Sequence, residues 1–122
     1  MSFDEILRKI VDPVPGALAG AIMGADGIPL AEYARGDAEL DLTAVAVEFH
    51  SVLEQASKVA GAVSGPGAGG IEELMLRTRA HQLVFRQIDD EYFAVIALEP
   101  DGMVGKARYL LGTLLWTLQE EL

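Results

Sequence analysis

An Asp26-Gly27 pair stands between two short apolar segments, residues 17–24 and 28–34. This arrangement is the strongest short-range signal for a two-residue β-hairpin turn, because glycine adopts the positive φ that such turns need and aspartate tolerates it. We therefore predict a strand over 17–24, a tight turn, and a second strand over 28–34. Pro29 cannot donate to a β ladder, so the second strand is predicted to be an edge strand or to contain a bulge.

Helical patterns lie on both sides of this hairpin. Before it, apolar residues recur at helical spacing over residues 3–11, behind Ser2 and Glu5, which have the spacing of a capping box. After it, Asp41 is predicted to cap a long helix that ends near Val63. Its apolar residues keep helical spacing through six turns, and further small or apolar residues lie beside that stripe. This surplus predicts a second packing partner for the long helix.

The rest of the chain predicts three strands and a final helix. The strands are expected over residues 71–79, 82–88 and 92–98, and the helix over 103–121. The last strand is almost entirely apolar, which favours a central position in the sheet. The expected fold class is α/β: a single-domain α-β-β-α-β-β-β-α sandwich over residues 1–122. Its five-stranded, mainly antiparallel sheet is expected to have the long helix on one face and the first and third helices on the other.

Charge and composition exclude several classes of function. The chain has 9 basic and 19 acidic residues, a formal net charge of −10, so it is a poor candidate for binding nucleic acid or an anionic membrane surface. It contains no cysteine, which excludes disulfides and thiolate metal sites. No signal peptide and no apolar run long enough to span a bilayer is evident, so we expect a cytoplasmic protein without membrane insertion.

Two glycine patterns resemble nucleotide-binding motifs without their context. Gly65, Gly67 and Gly70 satisfy G-x-G-x-x-G, but this loop follows a helix and precedes a strand, the reverse of a dinucleotide site. Gly105-Lys106 has neither the first glycine nor the Ser or Thr of a phosphate-binding loop. We therefore expect no cofactor.

No set of residues has the pattern of a catalytic or metal site. His50 and His81 are the two histidines, and no acidic residue accompanies them in a metal-binding pattern; Glu54, four residues after His50, is placed for a helical ion pair. The four serines, Ser2, Ser51, Ser57 and Ser64, stand outside the G-x-S-x-G context of a nucleophile. We expect a protein that is not an enzyme and binds no metal.

The third strand is predicted to lie at the far edge of the sheet, with unpaired backbone groups. A long apolar edge promotes aggregation unless it is paired or protected. A second copy across a two-fold axis would pair this edge and also cover the surplus surface of the long helix. The predicted homodimer interface comprises Val47, Leu74, Met75, Leu76 and Arg77. The alternative is an edge protected by its own charges, Glu72, Glu73, Arg77 and Arg79.

The final helix has a second stripe formed by Tyr109, Gly112 and Trp116. This stripe is suited to packing against the first helix. The alternative is a partner site, because exposed Trp and Tyr are frequent in binding hot spots.

Two segments carry a resemblance to a known family. Residues 20–31, with their small apolar strand, Asp-Gly turn and apolar return, resemble the Roadblock (dynein light-chain) family. The last strand followed by residues 105–111 is similar to the end of that family's pattern, and the order of elements matches over the whole chain. The resemblance implies a profilin-like fold and a homodimer with a joined sheet. It also implies a two-helix platform for a Ras-like small GTPase, which bacterial members in polarity and gliding systems regulate, some by accelerating hydrolysis.

The resemblance places the GTPase contact on the outer face of the long helix. The predicted contact residues are Glu48, Ser51, Glu54, Gln55 and Lys58. This helix contains no arginine that could act as an arginine finger, so any activation would reposition the GTPase's own residues. Two alternatives remain: a small-molecule sensor of profilin-like or PAS-like type with a pocket between sheet and helix, and a structural adaptor without nucleotide preference.

Overall fold

The computed structural model describes residues 1–65 and 70–122. Three helices and five strands follow one another in the predicted order. They are α1 (Phe3–Val11), β1 (Ala17–Gly24), β2 (Pro29–Ala34), α2 (Leu42–Ser64), β3 (Glu73–Arg77), β4 (Gln82–Gln87), β5 (Tyr92–Leu98) and α3 (Val104–Glu121). The predicted G-x-G-x-x-G loop includes Gly67, which lies outside the described residues.

The five strands form one antiparallel sheet in the order β2-β1-β5-β4-β3. The central position of β5 is as predicted, and six of its seven residues are buried. β2 and β3 are the two edges. For β2, which contains Pro29, both predicted features are present. The strand is an edge of the sheet. Its pairing with β1 also shifts register between Ile22 and Met23, and Met23 is the residue that faces Pro29.

The sheet separates two apolar cores. α1 and α3 cover one face, where Ile6, Ile10 and Leu111 are buried with Ile96 of β5. α2 covers the other face. There Phe49 stacks on Phe85, with ring centroids 4.3 Å apart, and meets Phe93 edge-on at 5.0 Å. This arrangement confirms the predicted sandwich.

The hairpin turn fastens the sheet to α2. Asp26 Oδ1 accepts a hydrogen bond from the backbone N–H of Ile28 at 3.1 Å, and Gly27 has φ +91°. A Cβ at position 27 would lie 3.1 Å from the carbonyl oxygen of Ala46 and 3.3 Å from the Cα of Val47. The turn therefore packs directly on the backbone of α2, so a side chain at position 27 would crowd that helix.

Capping residues begin both of the first two helices where the sequence predicts them. Ser2 Oγ accepts from the N–H of Glu5 at 3.2 Å, and Asp41 Oδ1 accepts from the N–H of Ala44 at 2.9 Å. The end of α1 is tied to β2, because Tyr33 Oη donates to Asp12 Oδ1 at 2.6 Å. This hydrogen bond to the carboxylate raises the pKa of Tyr33.

The third strand is shorter than predicted, Glu73–Arg77 instead of 71–79. Thr78 ends it, because its Oγ1 accepts hydrogen bonds from the N–H groups of Ala80 and His81 at 3.1 and 3.0 Å. A side chain that binds two successive backbone donors imposes a turn in place of a ladder.

The apolar stripe of α2 is not the continuous core contact that its spacing suggests. Within Leu42–Ser64, Leu42, Ala46 and Phe49 are buried, and all three lie in the first third of the helix. Val59 and Val63, which share the stripe, are 65% and 81% exposed. The reason is geometric: α2 extends beyond the part of the sheet that it covers, so Val59 and Val63 join neither core among the described residues.

The prediction that Tyr109, Gly112 and Trp116 pack against α1 is wrong. Tyr109 and Trp116 are 69% and 71% exposed, and a Cβ at Gly112 would meet no atom within 4 Å. α3 turns its other side inward, with Ala107, Leu111 and Leu118 buried. Because these three residues form the buried side of α3, Tyr109 and Trp116 lie on its outer surface.

Candidate interface on β3 and α2

Among the described residues, the outer edge of β3 presents unpaired backbone groups. Gln87 N–H donates to the carbonyl of Glu72, and Thr78 N–H donates to the carbonyl of His81, so even-numbered residues of this segment face β4. Backbone groups alternate in direction along an antiparallel strand. The N–H and C=O groups of Glu73, Met75 and Arg77 therefore point away from the sheet.

Side chains alternate along the same strand. Leu74 and Leu76 lie on the α2 face, and Leu74 packs against the core of that face. Glu73 lies on the α3 face, where its Oε1 forms an ion pair with Arg108 Nη2 at 2.7 Å and its Oε2 lies 3.8 Å from Arg86 Nη1. The ion pair between Glu73 and Arg108 connects the edge strand to α3.

An apolar groove of about 370 Å³ lies between β3 and α2. Its walls combine residues from the edge strand, from β4 and from the first half of α2. They include Leu74, Leu76, Leu83, Val45, Phe49 and Val52. Met75 and Leu76 are 49% and 52% exposed at its rim. A groove of this kind at an unpaired sheet edge is suited to accept a second protein surface.

Four of the five predicted interface residues come together at this edge: Leu74, Met75, Leu76 and Arg77. Val47 does not join them. It borders the hairpin turn at Gly27, and at 100° per residue it lies about 140° around the helix from Val52, which lines the groove. Val52 and Val59 occupy the β3 side of α2, and the sequence pattern had assigned both to the core.

Arg77 has a structural role besides its place at the edge. Its Nη1 donates to Gln82 Oε1 at 3.1 Å, and its Nη2 donates to the carbonyl of Pro100 at 3.2 Å. Gln82 is 2% exposed, and its amide donates to the carbonyls of Glu99, Pro100 and Gly102. The two side chains thus hold the turn between β5 and α3 against the edge of the sheet.

We call Glu48, Ser51, Glu54, Gln55 and Lys58 the outer surface of α2. All five are exposed. Helical periodicity places them on the side of α2 that faces away from the sheet, opposite Leu42 and Phe49. Glu48 also borders the β3–α2 groove, so the outer surface and the groove are continuous.

His50 connects α2 to the hairpin. Its Nδ1 lies 2.9 Å from the carbonyl oxygen of Ala25, and its Nε2 lies 3.3 Å from Glu54 Oε1. The predicted helical pair with Glu54 is therefore present, and the ring also holds the hairpin turn against α2. In the described residues 1–65 and 70–122, no three His, Asp or Glu side chains gather as a metal site would require. Across the same residues, no helix has the length and apolar character needed to span a membrane.

The fold matches solved structures over almost the whole chain. MglC from Myxococcus xanthus is 35% identical to this chain, with 100% of each chain covered and a TM-score of 0.69. A Roadblock/LC7 domain from Streptomyces avermitilis is 14% identical, with a TM-score of 0.77 over 98% of this chain and 97% of that domain. The chain belongs to the Roadblock/LC7 family.

Other solved structures share the fold at lower identity. The gliding protein MglB from Thermus thermophilus is 15% identical, with a TM-score of 0.83 over 96% of this chain and 85% of MglB. Profilin IA from Acanthamoeba castellanii is 16% identical, with a TM-score of 0.60 over 98% of both chains, which agrees with the predicted profilin-like sandwich. No protein-family model and no curated protein matches the sequence at a significant level.

Proposed function

We propose that this Roadblock/LC7 protein is a non-catalytic homodimer that binds a Ras-like small GTPase through the outer surface of α2. The observation that carries the proposal is the exposure of α2. It is a 23-residue helix whose buried residues end at Phe49, so most of its length is available to partners. The match to MglC, from the same family, and to the gliding protein MglB supports a role as a regulator or scaffold.

The homodimer is proposed to form by antiparallel pairing of two β3 strands about Met75. In this register the outward N–H and C=O groups of Met75 bond to those of Met75 in the second copy. Glu73 then lies opposite Arg77 of the second copy, and Leu74 lies opposite Leu76. Opposite charges meet on the α3 face and leucines meet on the α2 face, both of which stabilise cross-strand pairs.

The same pairing brings the two β3–α2 grooves side by side. Val52 and Val59 lie on the β3 side of α2 and would contact the second copy, which explains why a chain of this size leaves them in solvent. The two outer surfaces of α2 then form one continuous platform. An acidic platform with a lone lysine, Lys58, is suited to a partner whose contact surface is largely basic and carries an acidic group opposite Lys58.

The proposal also includes stimulation of GTP hydrolysis by the bound GTPase. An arginine finger accelerates GTP hydrolysis by about 10³–10⁵-fold. α2 contains no arginine, so this chain would act by positioning residues of the GTPase itself. A scaffold without this effect would bind the GTPase and leave its hydrolysis rate unchanged.

The test is a calorimetric titration with a purified Ras-like GTPase from the same organism, loaded with GDP or with a non-hydrolysable GTP analogue. Glu54→Lys and Lys58→Glu should each weaken binding about tenfold, because each reverses a charge at the centre of the surface. Lys9→Glu is the matched control, since Lys9 is exposed on α1, on the opposite face of the sheet. Equal weakening by Lys9→Glu, or no weakening by the α2 variants, would contradict this surface.

Two alternatives predict different results. A structural adaptor would bind the GDP and GTP-analogue forms with equal affinity. A small-molecule sensor would use the β3–α2 groove, which is open along the sheet edge and has Glu48 as the one charged residue of its described lining. If the protein is a sensor, at least one ligand in a library of small apolar molecules should raise its melting temperature. The proposed function predicts that none does.

A further inference from the structure

The outer surface of α3 carries two large aromatic residues with no role in the fold. Tyr109 and Trp116 are 69% and 71% exposed. Trp116 Nε1 donates to Glu120 Oε1 at 2.6 Å, a contact within the helix that fixes the indole ring on the surface. Exposed Trp and Tyr side chains are the residues most enriched in the energetic centres of protein interfaces.

These aromatic residues alternate with glycines at the spacing of a helix-pairing seam. Gly105, Tyr109, Gly112 and Trp116 are separated by four, three and four residues, the repeat that faces a partner helix in a coiled coil. At 100° per residue they lie within an arc of about 60°, about 150° around the helix from the buried stripe. The seam therefore faces outward, and the proposed pairing of β3 strands leaves it free.

Gly112, in the interior of α3, weakens the helix, and neither it nor Gly105 has a packing reason among the described residues. A Cβ at Gly105 or at Gly112 would meet no atom within 4 Å. Glycine inside a helix costs about 0.5–1 kcal/mol relative to alanine. Glycine at these positions does, however, allow a second helix backbone to approach closely, with the aromatic side chains of the partner helix filling the space.

The charges on α3 indicate which helix fits. Lys106 lies at its beginning, and Glu120 and Glu121 lie at its end. Among the described residues, Lys106 has no ion-pair partner. An antiparallel copy of α3 centred next to Gly112 would place Tyr109 against Trp116 of the second copy, and Lys106 beside its Glu120. The helix is thus complementary in charge to its own antiparallel copy.

We propose that α3 packs antiparallel against α3 of a second copy through Gly105, Tyr109, Gly112 and Trp116. This contact is separate from the β3 edge and from the outer surface of α2. Together with pairing at β3 it would join homodimers into larger assemblies. It goes beyond the proposed function, because it neither requires nor excludes a GTPase.

Cross-linking tests the contact directly, because the chain has no cysteine of its own. Gly112→Cys places the new thiol next to its counterpart in the second copy, and mild oxidation should give a covalent dimer. Asp37→Cys is the control, since Asp37 is exposed in the loop before α2. Gly112→Cys should form the covalent dimer about ten times faster than Asp37→Cys or more, because α3 pairing holds its two thiols next to each other. Equal rates would overturn the proposal and would leave a different protein as the occupant of this surface.

A second pair of variants separates association from folding. Gly112→Ala should raise the melting temperature of the chain at low concentration, because alanine favours helix, and should still weaken α3 pairing, because its methyl group separates the helices. Lys106→Glu should weaken pairing measured by sedimentation velocity, and Lys106→Glu combined with Glu120→Lys should restore it. A Gly112→Ala variant that associates as strongly as the parent, or a double variant without recovery, would overturn the proposed geometry.

Discussion

The ring of Phe49 on α2 lies parallel to the ring of Phe85 on β4, with their centroids 4.3 Å apart and their planes 6° apart. Phe93 of β5 completes the contact edge-on. Phe49 is also the last buried residue of α2. The buried residues of this helix therefore lie in its first third, where the aromatic cluster anchors it to the sheet, and the turns after Phe49 bury no residue.

Replacing Phe49 with alanine should destabilise the chain by about 3–5 kcal/mol, the usual cost of removing a buried phenylalanine. Urea denaturation followed by circular dichroism measures this loss. Val63→Ala is the control within the same helix, and since Val63 is 81% exposed it should change stability by less than about 0.5 kcal/mol. Similar losses in both variants would mean that Phe49 does not anchor α2.

Gly27→Ala should destabilise the fold by about 1–3 kcal/mol, for two reasons. Position 27 has φ +91°, and the new methyl group would lie 3.1 Å from the carbonyl oxygen of Ala46. Gly36→Ala separates these causes, because Gly36 also has a positive φ but no atom within 4 Å of a Cβ. Thermal unfolding should show a smaller loss for Gly36→Ala, and a larger one would contradict the close packing of the turn on α2.

Met75→Pro should halve the molar mass measured by light scattering. The N–H of Met75 points away from β4, so proline removes a donor that the single chain does not use and that the proposed strand pairing needs. The melting temperature measured below the association range should change little.

Leu76→Pro is the matched variant, because the N–H of Leu76 faces β4. It should lower the stability of the single chain by about 1 kcal/mol or more through loss of a ladder hydrogen bond. A Met75→Pro variant with the molar mass of the parent would show that the β3 edge is not the dimer contact.

Local signals explain why the fold was predictable. The turn at Asp26-Gly27, the cap at Asp41 and the apolar run of β5 each depend on neighbouring residues, and each appears where the sequence places it. The end of β3 was missed because Thr78 forms two hydrogen bonds with the backbone of Ala80 and His81, and threonine is otherwise a good strand residue.

Helical spacing could not show which apolar stripes are buried. Val59 has the same periodicity as Phe49, and Trp116 recurs as regularly as Leu111, but their exposure depends on how far the sheet extends and on which side of α3 faces it. The pattern identified an amphipathic helix correctly in both cases. It could not separate core residues from those that are free to contact another chain, and it could not show that Val52, and not the predicted interface residue Val47, lies beside β3.

A single-cysteine variant, Met75→Cys, tests the central claim that two copies join at β3. In the proposed register the two Cα atoms at position 75 form a hydrogen-bonded antiparallel pair about 5.5 Å apart, within the range that a disulfide spans. Under mild oxidation the variant should form a covalent dimer of about twice 13.0 kDa, much faster than Asp37→Cys. A Met75→Cys chain that stays monomeric, or that cross-links no faster than Asp37→Cys, would contradict the homodimer and with it the two-helix platform.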